Sequence, residues 1–435
     1  MKKKIVYRFF IFVLFFIVSA SGMGIYAHMV AKQLPGEIYL QNNRITTLQL
    51  GLPVTAENDT QKVNLSRPAA FAAEQTGSYP MQIKLFGVFD IRTVDVNVVE
   101  PDYVYPCGFQ IGLYLKTDGV LAVNTQSITD IYGNEVNPCE NIIRQGDYIL
   151  AVNAEKVSSK GTLAEAVKKC GGTEVVFTIL RNGQQFDVSV TPVMDEGGNY
   201  KIGLWVKDDA QGIGTMTYID SSGGFGALGH GISDETTAGL LTIHDGRLYK
   251  TKIVSIIKGT EGTPGEFIGT IDYQEKNFLG SIRKNTVSGI FGTLDKNLAE
   301  EYELEYMQVG YSHEVEKGKA YIRMYTDNSY QDYQIEIDHI SYGGQKNLTF
   351  TVKSPELLAM TNGIVQGMSG SPILQNGKFV GAVTHVFIDN PTKGYGIFAE
   401  TMLKRENKNC FVEKCRKTRK YRIANFCRRR YNQFL

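Results

Sequence analysis

The chain has 435 residues, 43% hydrophobic and 21% charged, with a formal net charge of +1. That length and apolar content support about two to three domains with cores of their own. The charge is uneven: from Lys404 onward 12 residues are basic and 2 acidic, which leaves the rest at −9, a mildly acidic body without the basic footprint of a nucleic-acid binder.

Met1-Lys-Lys-Lys4 precedes the apolar run Phe9–Val18 and then Ser19-Ala-Ser-Gly22. A basic head, a greasy stretch and small residues describe an export signal, and the stretch extends raggedly to Ala27, which makes a membrane anchor the alternative. The lysines favour leaving that end in the cytoplasm. Residues 1–30 are therefore read as signal peptide or anchor, with the rest exported. The six cysteines, Cys107, Cys139, Cys170, Cys410, Cys415 and Cys427, show neither a metal-type pair nor a disulfide framework and are read as free thiols.

Residues 31–100 read as a small β module that spaces later domains from the membrane. Val94-Asp-Val-Asn-Val98 alternates strictly, and Met81–Phe86 largely so, the period of a half-buried strand. Residues 101–195 are more specific. A glycine loop, Pro106–Gly112, leads into the strand Leu113–Leu115. Gly146-Asp147 turns into a strand at Tyr148–Val152, and Thr162–Lys169 has helical spacing. Asn182-Gly183 joins two closing strands as a hairpin. This order, with the Gly-Asp-x-Ile-x-x-Val-Asn run, resembles a PDZ domain of the bacterial protease-associated kind. The resemblance implies a peptide adding to a sheet edge beside a helix, with backbone groups offered by Ile111, Gly112 and Leu113 and a pocket lined by Leu163 and Val167.

From residue 196 to 403 the pattern is a procession of short strands and turns without a long amphipathic helix, which reads as a β barrel or sandwich. Two stretches in it carry chemistry. Gly367-Met-Ser369-Gly-Ser371-Pro372 sets a serine between glycines that permit positive φ. Its hydroxyl would stand exposed, and the amides of Gly367 and Ser369 could hold the oxyanion of a tetrahedral intermediate. Gly229-His230-Gly231 follows an apolar strand, the most glycine-framed of the six histidines, and an imidazole there could take a proton from a serine. Taken alone, a Gly/Ser loop and a structural histidine are the bland alternatives. His early and Ser late is the chain order of trypsin-like peptidases.

Ile213-Gly-Thr-Met-Thr, Gly226-Ala-Leu-Gly-His230 and Gly363-Ile-Val-Gln-Gly-Met-Ser-Gly-Ser-Pro-Ile373, continuing into Gly381–Phe387 and Gly394–Phe398, resemble the stage IV sporulation protein B (SpoIVB) peptidases of spore-forming bacteria. The resemblance implies a mostly β fold: a signal or anchor helix, a PDZ-like α+β module and a trypsin-like double β-barrel. It implies a serine endopeptidase, with Ser369 as nucleophile and His230 as base, working without metal or cofactor. It further implies export to the forespore membrane and the intermembrane space, self-cleavage, and cleavage of a membrane-bound regulator that frees the late mother-cell sigma factor. Partners are then a protein or peptide substrate and, through the N-terminus, the membrane. Thr384-His385-Val386 would be the strand beside which substrate lies, with His385 as a wall.

Three features depart from the family pattern. Ser354 stands fifteen residues before the serine, where the family has an aspartate proposed as triad acid; Asp234, Asp245 and Asp338 are the alternatives. Cys107 replaces a glycine of the PDZ loop. The tail, 404–435, falls outside the resemblance and reads as a disordered extension, with attachment to an anionic membrane surface as the other reading. A catalytically inactive PDZ scaffold and a general quality-control protease remain the rival functions.

Overall fold

The computed structural model describes residues 2–48, 50–57, 62–72, 75–326 and 329–406. The tail, with Cys410, Cys415 and Cys427, lies outside the described residues beyond Glu406. The protein is mostly β, as its strand-length apolar runs require.

Helix α1, Lys2–Lys32, is apolar and solvent-exposed along most of its length, and Tyr7–Lys32 is long and apolar enough to cross a membrane. Its end is built into the first sheet. Val30 and the following Leu34 lie in that sheet's core, and Arg92 Nη1 donates to the carbonyls of Ala31 at 3.3 Å and Leu34 at 3.0 Å. The bonds answer carbonyls that a helix terminus leaves without partners. The sheet is formed by β1 (Glu37–Gln41), β2 (Val54–Glu57), β3 (Lys62–Asn64), β4 (Gly77–Leu85) and β5 (Phe89–Val99), in the spatial order β1-β5-β4-β2-β3. The alternation seen in β5 buries Val94, Val96 and Val98 on one face.

The next strand, β6 (Gln110–Thr125), is long enough to serve two bodies. Its far half pairs with β7 (Tyr148–Val152), which continues through β8 (Val175–Arg181) to β9 (Gln184–Val190); helix α2 (Lys160–Lys169) packs on this sheet. Ser159 and Thr162 close a capping box at the start of α2. Asn182 and Gly183, at φ 52° and 78°, make the left-handed hairpin turn their sequence calls for. This strand and helix order is the PDZ-like module. The chain then returns along β6 as β10 (Leu204–Ile219), with Leu204 opposite Thr125 and Thr215 opposite Gln110.

The near half of β6 belongs to a closed barrel. With β10, β11 (Gly224–Ala227), β12 (Ile243–Ile257), β14 (Phe278–Thr286) and β15 (Gly289–Leu294) it runs β6-β10-β11-β15-β14-β12 and back to β6. A further strand, β13 (Glu266–Ile271), folds back on β12. The second barrel comprises β16 (Gly318–Thr326), β17 (Ser329–Ile340), β18 (Leu348–Val352), β19 (Pro372–Gln375), β20 (Lys378–Phe387) and β21 (Asn390–Phe398), closed in the order β16-β17-β18-β21-β20-β19. Counted from each barrel's first strand, both follow one order, 1-2-3-6-5-4. The PDZ-like module is inserted between the first and second strands of the first barrel. Helix α3 (Pro355–Thr361) leads to the serine turn, and α4 (Ala399–Glu406) follows the second barrel.

Candidate active site

The serine turn lies at the seam of the barrels and is stitched to both. Thr215, on β10, donates its hydroxyl to the Gly367 carbonyl at 2.6 Å and its amide to the Ser369 carbonyl at 3.1 Å. From the second barrel, the Gly370 amide donates to Val383 O at 2.7 Å and the Val383 amide to Ser371 O at 2.9 Å. On the approach, Phe267 N donates to Gln366 O and Gln366 N to Gly265 O, so β13 straps the segment before the serine. Two glycines are required sterically. Gly370, at φ 98°, has Thr215 O 2.3 Å from where a Cβ would stand; Gly367, also at φ 98°, has the Phe267 ring at 2.9 Å. The amides of Gly367 and Ser369 have no hydrogen-bond partner among the described residues.

His230 is set by a left-handed pair, Leu228 at φ 71° and Gly229 at φ 70°, that turns the chain out of β11. Its Nδ1 lies 2.9 Å from the Gly231 carbonyl. A carbonyl only accepts, so Nδ1 carries the proton and Nε2 keeps its lone pair. Burial holds the imidazole below its ordinary pKa, against the opposing effect of the Gly231 carbonyl, and keeps it neutral near pH 7. The His385 ring stands 4.8 Å away, centroid to centroid; lost hydration, His230 and Lys346 push His385 down to about 4.

His230, Ser369, Gly367, Thr384 and His385 line one cleft of about 600 Å³, whose walls include Leu113, Ile213, Ile364, Val365 and Val386. Among the described residues lining it, besides the two histidines, Lys346 is the only ionisable one. The Ser369 hydroxyl donates to the Thr384 carbonyl at 2.6 Å and is not bonded to His230.

Among the described residues, no carboxylate is bonded to His230. Asp234 pairs with Lys207 at 2.8 Å and accepts the Thr236 and Thr237 amides. Asp245 faces Arg247, and Asp338 accepts the Thr351 hydroxyl at 2.7 Å. Ser354 is the N-cap of α3: it accepts the Leu357 amide and donates to Glu356. Its place in the fold is that of a helix cap. What does brace His230 had no sequence signal. Asn285 accepts Ile232 N at 2.9 Å and donates to Ile232 O at 2.7 Å and Leu241 O at 2.9 Å, fixing the chain just past the imidazole. The β14–β15 turn that follows sets Thr286 O 2.5 Å from where a Cβ on Gly231 would stand, and it carries Ser288, whose buried hydroxyl has no partner among the described residues.

The five residues expected to bind a peptide do not come together. Ile111, Gly112 and Leu113 lie in the first barrel, paired with β10 on one edge and β12 on the other, so their backbone groups are already engaged. Leu163 and Val167 face the module core, against which Leu204 and Val206 are packed. Leu204–Lys207, at the start of β10, pairs with β6 along one edge; among the described residues no strand takes the other. The Lys160 amide, at the start of α2, donates to Asp208 beside that open edge. Cys107 is buried in the first barrel's core.

The family model for SpoIVB peptidase S55 matches residues 198–403, the span that holds both His230 and Ser369. The chain carries a SpoIVB-type serine peptidase domain. Solved structures similar to this chain include the active form of the Rv3671c protease from M. tuberculosis, at 12% identity over 46% of this chain and 74% of that one, with a TM-score of 0.26. The HtrA-type protease AlgW with a decapeptide is similar at 10% identity over 70% of this chain and 65% of that one, TM-score 0.26. The PDZ domain of an SdrC-like protein from Listeria monocytogenes is similar at 18% identity, covering 20% of this chain and 87% of that domain, TM-score 0.17.

Proposed function

We propose that Ser369 is the nucleophile and His230 the general base of an endopeptidase that works by acyl transfer. The observation that carries this reading is the shared cleft: a serine on a glycine turn and, among the described residues, an imidazole with Nε2 free and two unengaged amides, Gly367 and Ser369. Rotation about the serine Cα–Cβ bond exchanges the Thr384 carbonyl for Nε2 as acceptor. Nε2 takes the proton as Ser369 Oγ attacks the substrate carbonyl, the two amides hold the oxyanion, and the imidazolium returns the proton to the leaving amine. The Gly231 carbonyl fixes the tautomer where other serine peptidases use a carboxylate. A carbonyl dipole stabilises the imidazolium less than a charge does, which suits a protease that cuts few sites slowly.

The substrates in this reading are the chain's own N-terminal region and a membrane-bound regulator in the space between the two membranes of a developing spore, with release of a late sigma factor as the outcome. Helix α1 holds the enzyme at the membrane until self-cleavage frees it. Peptide adds to the open edge of Leu204–Lys207 beside α2, with Leu163 and Val167 supporting the groove from below. The rival, an inactive scaffold, draws on the Ser369–Thr384 bond and on the lack of a carboxylate partner for His230 among the described residues. Self-cleavage of the wild type and of Ser369→Ala, with fluorophosphonate labelling, decides between them. Shortening and labelling of the wild type alone supports the enzyme; an unlabelled, full-length wild type supports the scaffold.

A further inference from the structure

We infer that the β4–β5 hairpin tip is a second membrane contact, a lipid-seated wedge that fixes the exported body against the bilayer. The tip is Phe86-Gly87-Val88-Phe89, and three of its side chains are out of the core: Phe86 is 54%, Val88 70% and Phe89 51% exposed. Two-residue hairpin turns ordinarily use Gly, Asn or Asp at positive φ. Here a phenylalanine takes that conformation, Phe86 at φ 52°, followed by Gly87 at φ 73°. The turn is nonetheless held firmly: Phe86 N donates to Pro53 O at 2.9 Å and Lys62 Nζ to Gly87 O at 2.8 Å. A braced turn that presents three large apolar groups outward needs an apolar neighbour.

The neighbour follows from α1. The Phe86 ring stacks on Tyr26 of α1, centroids 6.2 Å apart and planes at 13°. The helix is exposed along most of Tyr7–Met29, with Ala27 partly buried against the sheet core, and Val30 and Leu34 are buried in that core. The membrane must therefore end before Val30. From Tyr7 to Tyr26 the helix rises about 30 Å, the thickness of a bilayer's hydrocarbon core. Tyr26 thus stands at the outer interface, where aromatic rings favour the headgroup boundary. Phe86, in contact with it, stands at the same depth. Because Arg92 and the buried Val30 and Leu34 tie the helix end to β5 and the core, the tip cannot swing away independently. Lipid is the occupant that this geometry supplies.

The inference rests on α1 being a retained span, and the test separates the two. Trp205, the chain's one tryptophan, is exposed on the PDZ-like module. Full-length protein carrying Ser369→Ala, to prevent self-cleavage, and Trp205→Phe is reconstituted in phosphatidylcholine vesicles containing chain-brominated lipid. Single tryptophans are placed by Phe86→Trp, Val88→Trp or, within the span, Phe15→Trp. The expected result is that shallow bromines quench the tip tryptophans by about half or more, as for groups seated at the acyl boundary. Trp205 itself, read in the parent with Ser369→Ala, stays unquenched. Quenching at Phe15→Trp with none at the tip overturns the wedge and leaves the anchor standing. No quenching at either overturns both. Tip tryptophans shielded from aqueous iodide and from bromolipid alike would mean a protein cover, such as a second copy, and would also overturn it.

Discussion

The Ser369 hydroxyl is bonded to the main-chain carbonyl of Thr384 at 2.6 Å. In the proposed mechanism that bond holds the nucleophile at rest on the strand beside which substrate would lie, and side-chain rotation would bring its hydroxyl to Nε2. Replacing Ser369 with Ala removes one hydrogen bond and no packing. Unfolding free energy should change by about 1 kcal/mol or less, while peptidase activity falls by at least about a thousandfold. Denaturant titration beside initial-rate measurement checks both halves.

The pH profile follows from His230. Its pKa is lowered by burial from the usual 6.5. A base with a lowered pKa stays neutral further down the scale, and the rate falls only as pH drops through that lowered value. The acid limb of kcat/KM should therefore lie below 6.5. Asp234→Asn should leave that limb in place, since Asp234 is occupied by Lys207 and two amides. An acid limb above the ordinary histidine range, or one that moves in Asp234→Asn, contradicts the arrangement.

Asn285 gives a prediction that a sequence reading does not offer. Asn285→Ala takes their partner from the Ile232 amide and the Leu241 carbonyl, and leaves the Ile232 carbonyl with the Leu241 amide alone. A stability loss of about 2 kcal/mol is expected. Loosening of the chain next to His230 should also lower kcat by about tenfold or more, with KM little changed. A loss of stability with kcat intact would limit Asn285 to a structural part.

Gly370 and Gly377 make a matched pair. Both have positive φ, 98° and 73°, but a Cβ at Gly370 meets Thr215 O at 2.3 Å and Leu228 N at 2.6 Å, whereas one at Gly377 meets nothing within 4 Å. Gly377→Ala should cost about 1 kcal/mol through conformation alone. Gly370→Ala should cost several times that, because the obstructing atoms are backbone. Thermal unfolding of the two variants reads the difference.

His313 predicts an acid weakness away from the cleft. Both ring nitrogens are buried without partners among the described residues, and burial pushes the imidazole down to about 4, with Glu314 opposing and Lys378 assisting. The unfolded chain binds the proton first, so this group's contribution is intact above 6.5 and is lost as pH falls from there toward about 4. Against His313→Phe, the wild type should lose on the order of a few kcal/mol over that interval. Glu400, a buried carboxylate, and Asp102, bonded to Tyr311, both have a raised pKa, are common to both proteins and cancel.

Local chemistry was legible in the chain; partner choice was not. Glycines around Ser369 and His230 announce their turns because positive φ is a property of the residue itself. Val94, Val96 and Val98 announce a half-buried strand for the same reason. Gly112 looked like a loop residue at an open edge, yet Ile271 lies 2.6 Å from where its Cβ would be and strands close on both sides. Which strand pairs with which depends on segments about a hundred residues away, and local alternation carries no record of that. Ser354 stands where the resemblance implies an aspartate, and the Pro355 that follows it marks the cap of a helix.

Thr125 and Leu204 face one another across the ribbon that carries the PDZ-like module. A surgeon's cut through the molecule therefore has only one clean line. Joining Thr125 to Leu204 by a short hairpin would leave every stave of the first barrel present, whereas removing residues 101–195 as a block would take away its first stave and spill the core that His230 leans on.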